Sequence, residues 1–340
     1  MKEQKQTRIL VTGGLGTVGS GLIRDLRKRG HHVVSCDLAH QADEAGFSLG
    51  SDIALPLYAR ADVGKFRQIE RVFERLGPFD YVYHCAAEFG RWNGEDFYEN
   101  LWQTNAIGTK NMIRLQERLR FRLIHFSSSE VYGDWPDLMV ESVMDEYEIK
   151  QLNDYAMTKW VNEGQVRNSA TQYGTESVVV RLFNTYGPGE YYSPYRSVNC
   201  RFLYCALHNL PWTVFRGHSR TSTYLADTVN TLANIVNNFK PGETYNIGGD
   251  SLHNIEELSD VVLKITGADA SLVQYREPEV LTTKNKRVDV SKAIRDLGHR
   301  NSYGLEEGMR ITADWMRRIY GVLESVNGFT KGEDVTLQAR

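Results

Sequence analysis

The 340-residue chain has little that would anchor, cross-link or steer it. It holds four cysteines, Cys36, Cys85, Cys200 and Cys205. Cys36 and Cys85 sit in strand-like runs and read as small core residues. Cys200 and Cys205 have neither zinc-ribbon nor redox-pair spacing, so no metal site and no disulfide framework is expected. No apolar run is long enough to span a bilayer. The segment Met1–Gln6 lacks the apolar core of a signal peptide, and a cytoplasmic location is the expectation. The net charge is only −3, with 24% charged residues, which argues against nucleic acid and membrane surfaces as partners. No repeat or low-complexity segment stands out.

What is present is a 41% apolar chain, large enough for one large domain or two unequal ones. Its first half alternates short apolar runs with amphipathic ones. Arg8–Thr12, His32–Asp37, Leu57–Asp62, Tyr81–Ala86 and Phe121–Phe126 read as strands. Val18, Leu22, Ile23 and Leu26 recur at helical spacing, with Gly30 placed to stop that helix. Phe66, Ile69, Val72, Phe73 and Leu76 mark a second helix, and a third is expected around Asn105–Arg118. The strands are nearly continuous apolar runs, the pattern of a sheet covered on both faces. Alternating strands and helices predict an α/β fold, a Rossmann-like doubly wound parallel sheet. After residue 183 the pattern loosens. Residues 1–183 are expected to form the main domain, built on this sheet. Residues 184–326 are expected to form a smaller mixed α/β substrate domain with segments returning to the main sheet, followed by a polar tail, 327–340.

Between the first strand and first helix, Gly13, Gly16 and Gly19 recur every third residue, with Thr17 and Val18 among them. This loop turns backbone amides and a helix N-terminus toward an anion, and glycine lets a pyrophosphate approach without a Cβ in the way. Asp37 ends the second strand, where a carboxylate can hold ribose hydroxyls. No arginine follows it in Leu38-Ala39-His40, so a 2′-phosphate would meet repulsion, and NAD is expected rather than NADP. Asp62 and Val63, after the third strand, are placed to reach the adenine.

Ser127-Ser128-Ser129-Glu130-Val131-Tyr132-Gly133 follows the fifth strand. Hydroxyls and a carboxylate at a strand's carboxyl end belong where open α/β sheets put their chemistry. Unpaired, they would be costly in a core. Tyr155 and Lys159 are four residues apart, on one face of a helix. A free phenol has a pKa of about 10. A nearby ammonium and the positive ring of an oxidised nicotinamide would favour the phenolate, making Tyr155 a candidate base.

Taken together, these features resemble an extended short-chain dehydrogenase/reductase of the nucleotide-sugar epimerase/dehydratase group. The resemblance rests on the glycine loop, Asp37, His84-Cys85-Ala86-Ala87, Asn105, the serine stretch, Tyr155/Lys159 and Arg181–Pro188. It implies NAD as cofactor, with Ala86, Ala87 and Asn105 at the cofactor side. It implies that Ser128 bonds the sugar 4-hydroxyl, Tyr155 is the base and Lys159 its partner. Asn184 and Arg220 match residues that hold the substrate diphosphate. A second phosphate arginine is expected near the end, at Arg276 or Arg287. Glu88 and Arg91, in the unusual segment Glu88–Asp96, and Arg196 are candidate substrate contacts. Arginine suits such anions because its fork meets two oxygens at once. The resemblance also implies a homodimer through two long helices, with Trp102, Met112, Leu115, Trp160 and Val161 as available apolar residues.

Enzymes of this group are expected to oxidise the sugar at C4. Glucose-type 4,6-dehydratases resemble Thr-Asp-Glu before Val-Tyr-Gly. This chain has Ser128-Ser129-Glu130, which lacks the acid and keeps the base. It is closer to the Thr-Ser-Glu of uronic acid decarboxylases and mannose-type dehydratases. The expectation is C5/C6 chemistry, decarboxylation or dehydration. A 4-epimerase, a small-molecule alcohol dehydrogenase and a non-catalytic NAD-sensing regulator stand as alternatives.

Overall fold

A computed structural model describes residues 6–40 and 57–327, with side chains to residue 321. The polar tail expected after residue 327 lies outside the described residues. Six strands follow in chain order: β1 (Arg8–Thr12), β2 (His32–Asp37), β3 (Leu57–Arg60), β4 (Tyr81–His84), β5 (Arg122–Ser128) and β6 (Ser177–Leu182). They join the later strand Thr244–Ile247 in one seven-stranded sheet. The order across it is Thr244–Ile247, β6, β5, β4, β1, β2, β3, and every pairing is parallel. The order reverses direction at β1, and in such sheets ligands bind outside the carboxyl ends at that point. The doubly wound α/β expectation holds.

Both faces of the sheet are dry. Ile9, Val11, Ile124 and Val180 pack on one side against Leu22, Leu225 and Leu232. Leu10, Val34, Val82 and Leu123 pack on the other against Ile69, Met112 and Leu115. Successive residues of one strand thus enter opposite cores, as the two-residue period requires. Met112 and Leu115 are fully buried here, so they are unavailable to a partner chain. A third cluster, with Phe202, Trp212, Leu258, Met309 and Met316, organises the C-terminal part. Among the described residues no helix is long and apolar enough to cross a membrane.

Some boundaries differ from the sequence reading in ways that matter to the site. β5 continues through Ser127 and Ser128 rather than stopping at Phe126. β4 stops at His84, and Cys85, Ala86 and Ala87 follow as half-buried irregular chain at its carboxyl end. Cys85 packs against the core, as its strand-like run predicts, and also borders the cleft. The helix expected from Asn105 starts with a π-turn, Gln103–Ile107, and becomes regular at Gly108–Leu119. Such turns frequently mark functional positions. Asn153 caps the helix Asp154–Tyr173 by accepting the Ala156 N–H at 2.9 Å. The cap sets where Tyr155 begins the first turn.

Candidate active site

One cleft of about 840 Å³ runs over the carboxyl ends of the strands. Gly13, Gly16, Thr17, Val18, Gly19, Asp37, Asp62, Val63, Ala86 and Ala87 line one end. Ser128, Ser129, Glu130, Tyr155 and Lys159 line its floor, and Glu88, Arg91, Asn184, Arg196 and Arg220 its remaining walls. Residues far apart in sequence are thus brought together; Asn105, Arg276 and Arg287 are the exceptions.

The nucleotide end is shaped by backbone. Gly13 has φ +66°, and a Cβ there would sit 2.7 Å from the Ala86 nitrogen. A Cβ on Gly19 would sit 2.1 Å from the Gly13 oxygen. The helix Thr17–Lys28 starts at Gly16 without a side-chain cap, so its first amides are open to an anion. The Asp37 carboxylate accepts the Leu15 N–H at 3.0 Å and the Leu38 N–H at 2.7 Å. It ties the glycine loop to β2 while facing the cleft. Asp62 accepts the Gly64 N–H at 2.8 Å and so shapes its own turn. These residues fit a dinucleotide: glycines at the close approach, an amide-rich helix start and a carboxylate at the ribose distance along the chain.

Behind the cleft lies a buried polar brace. Glu163 and Arg181 form an ion pair at 2.8 Å, with 4% and 2% of their side-chain surface exposed. Ser127 donates to Glu163 at 2.5 Å, and Arg181 donates to Tyr132 at 2.8 Å. The Ser127 hydroxyl is therefore committed to the interior, although Ser127 lines the cleft beside Ser128 and Ser129. Asn105 also sits behind the wall. It accepts the Glu88 N–H and donates to the Glu88 carbonyl, both at 2.9 Å, and donates to Thr158 at 3.0 Å. It braces the loop beyond β4 and does not line the cleft itself.

The Ser128 hydroxyl accepts the Glu130 N–H at 3.2 Å and lies beside Tyr155. Burial pushes the Tyr155 phenol up to about 12, with Ser128 opposing and Glu130 reinforcing the rise. The Lys159 ammonium donates to the Phe126 carbonyl at 2.9 Å and lies 5.8 Å from the Tyr155 ring centre. Burial draws it down to about 8. In the protein alone, burial thus outweighs the lowering influence on the phenol.

Glu130 forms an ion pair with Lys286, whose ammonium also donates to Ser129 at 3.1 Å. Burial raises the Glu130 carboxyl, but Lys286, Arg220 and Asn153 together outweigh it, and the net shift is downward. Burial likewise lowers Lys286, against the pull of Glu130. Lys286 was missed in the sequence, and the reason is register. Residues 284–288 run extended, bridging to Ser219 and Met139. In extended chain, neighbours point to opposite sides. Lys286 is buried at the cleft, whereas Arg287 is exposed and lies outside it. Arg276 is also exposed and lies outside it. Neither arginine expected as a second phosphate contact reaches the cleft.

Arg91 lines the cleft but is held as a strut. It donates to Glu95 at 2.8 Å, to Thr282 at 3.3 Å and to the Val280 carbonyl, and stacks over Trp92. Arg196 lies 4.4 Å from the Phe89 ring, and its Nε has no hydrogen-bond partner. Arg220 donates to the carbonyls of Ser219 and Lys284 at 2.8 and 3.0 Å, beside Glu130 and Glu279. Asn184 takes a left-handed φ of +39° at the turn after β6.

Residues 9–248 match the NAD dependent epimerase/dehydratase family. The chain belongs to that family. It is 29% identical over 335 residues to UDP-glucuronic acid decarboxylase 1 of Xenopus tropicalis, covering 94% of this chain and 74% of that protein. It is 29% identical over 339 residues to dTDP-glucose 4,6-dehydratase of Salmonella typhimurium, covering 91% and 92%. Among solved structures it resembles UDP-glucose 4-epimerase with UDP-glucose from Thermotoga maritima. That match has a TM-score of 0.81 and 25% identity over 92% of this chain and all of the other. The resemblance read from the motifs is therefore correct at the level of family and NAD as the family's cofactor. The family's members include decarboxylases, dehydratases and epimerases, so membership leaves the reaction open.

Proposed function

We propose that the chain oxidises C4 of a nucleotide-linked sugar and then acts at C5 and C6, with decarboxylation of a nucleotide-linked uronic acid as the reaction best supported. Bound at the glycine loop, NAD supplies a hydride acceptor and, later, a hydride donor. Ser128 bonds the 4-hydroxyl and Tyr155 takes its proton. With a ketone at C4, a C6 carboxylate belongs to a β-keto acid. The C5–C6 bond then breaks, CO₂ leaves, and the electron pair passes into the C4 enolate without a strong acid. C5 must afterwards gain a proton.

The observation that carries this reading is the Glu130–Lys286 pair with Ser129 at its side. It puts an ammonium, a carboxylate and a hydroxyl beside the oxidation site, with no carboxylic acid at position 129 to expel a 6-hydroxyl. Lys286 has an N–H acidified by burial and can stabilise the enolate or return the proton. Dehydration, which needs that acid, is the second reading, and 29% identity to a dehydratase favours keeping it. Asn184, Arg196 and Arg220 are proposed as the diphosphate contacts. The exposed side chains of Ile107, Met157 and Trp160 are proposed as part of a homodimer face.

The test is incubation with UDP-glucuronate, dTDP-glucose and UDP-glucose, read by mass spectrometry. Loss of CO₂ from the uronate supports the proposal. Loss of water from dTDP-glucose, or an epimer of unchanged mass, overturns the decarboxylase assignment.

A further inference from the structure

The cleft loop 187–197 is fastened to the rest of the protein at its start and its middle, and across itself in between. At its start, the Gly189 carbonyl accepts the Thr17 hydroxyl at 3.1 Å, from the cofactor helix. Across its span, the Glu190 carboxylate accepts the Ser197 N–H at 3.0 Å and the Ser197 hydroxyl at 2.9 Å. At its middle, the Tyr192 N–H donates to the Tyr320 hydroxyl at 2.7 Å. Tyr320 belongs to the terminal helix Leu305–Asn327, outside the cleft.

The third fastening is backed by aromatic packing. Tyr320 meets Tyr204 edge-on at 5.0 Å, and Tyr204 stacks on Tyr192 at 3.8 Å. Trp315, from the same terminal helix, meets Tyr191 edge-on at 5.3 Å. Beyond the held pair, Pro194, Tyr195 and Arg196 line the cleft. Tyr195 donates to Asp96 at 2.7 Å, and Arg196 lies over Phe89, so the loop closes onto the segment after β4. The unpartnered Nε of Arg196 sits where this closure meets the cleft.

We propose that Tyr320 is a substrate-positioning residue: its hydroxyl fixes the backbone at Tyr192 and thereby places Arg196 for an anionic group of the substrate. The inference rests on the nucleotide-sugar reading. It assigns the terminal helix a part in recognition although none of its described side chains lines the cleft.

The experiment is a double-mutant cycle on the full chain with Tyr320→Phe and Arg196→Ala, measuring KM and kcat for the turned-over member of the three nucleotide sugars. Tyr320→Phe retains the ring against Tyr204, so packing is preserved. The expected result is a KM raised about five-fold with kcat near wild type, the factor of one net hydrogen bond. In the Arg196→Ala background, Tyr320→Phe should add nothing. An unchanged KM, or the same rise in the Arg196→Ala background, overturns the positioning role while leaving the function intact. A wild-type chain that neither binds nor turns over any of the three sugars overturns the function reading and this inference with it.

Discussion

Glu130 and Lys286 face each other across 156 residues of sequence and meet as an ion pair on the cleft floor. The Lys286 side chain is 5% exposed and that of Glu130 20%. Removing one partner of such a pair strands the other charge. Lys286→Met should cost about 3 kcal/mol, the low end for a buried pair because Glu130 keeps some solvent. Urea unfolding measures it, and adding Glu130→Gln to that variant should recover part of the loss. Full stability in Lys286→Met would show that the pair is not held in solution.

Glu130→Gln separates the two halves of the reaction. The variant should still oxidise C4, seen as a transient NADH absorbance, and should fail to release product. Complete turnover would remove Glu130 from the C5 chemistry.

Tyr155→Phe removes the phenol hydroxyl and leaves the ring in place. A loss of about 10²- to 10⁴-fold in kcat is expected, the range for a general acid–base group. The NADH transient should vanish with it, while NAD content stays as in the wild type. A retained transient would move the base elsewhere.

Gly13→Ala meets both a left-handed φ and the Ala86 backbone at 2.7 Å. Purified protein should carry little or no NAD, measured by chromatography of the denatured chain. Normal NAD content would mean that the loop shifts without cost.

His84 and His125 are buried at the back of the sheet, 2% and 1% exposed. Burial, with a contribution from Lys159, draws His84 down to about 3 and His125 well below the usual imidazole value. Both stay neutral in the folded chain while the unfolded chain binds protons below about pH 6.5. Stability is therefore present above that pH and lost as the pH falls through the window down to about 3. The limiting slope is about 1.4 kcal/mol per pH unit for each group. Urea midpoints from pH 7 to 4.5 should show it, and His125→Gln should shallow the slope by one proton. An unchanged slope would mean that His125 is charged in the folded state.

The legible parts of this protein were those encoded locally. The apolar runs of β1, β4 and β5, the glycines at 13, 16 and 19, and Tyr155 with Lys159 each carry their reading within a few neighbours, because period and spacing decide which face a side chain takes. Boundaries were less legible. The strand β5 takes in Ser127 because Glu163 and Arg181, far along the chain, satisfy its hydroxyl.

The sequence by itself determined the parallel sheet, the glycine loop at its carboxyl end and the placing of Tyr155 and Lys159 on one helix face, since patterning, glycine geometry and helix spacing are local. Only the tertiary structure decided that Lys286 rather than Arg287 enters the cleft, that Arg91 is a strut, and that Tyr320 holds the loop bearing Arg196. Those assignments depend on the register of distant extended segments and on which partners already satisfy each cation. That information exists only once the chain has closed on itself.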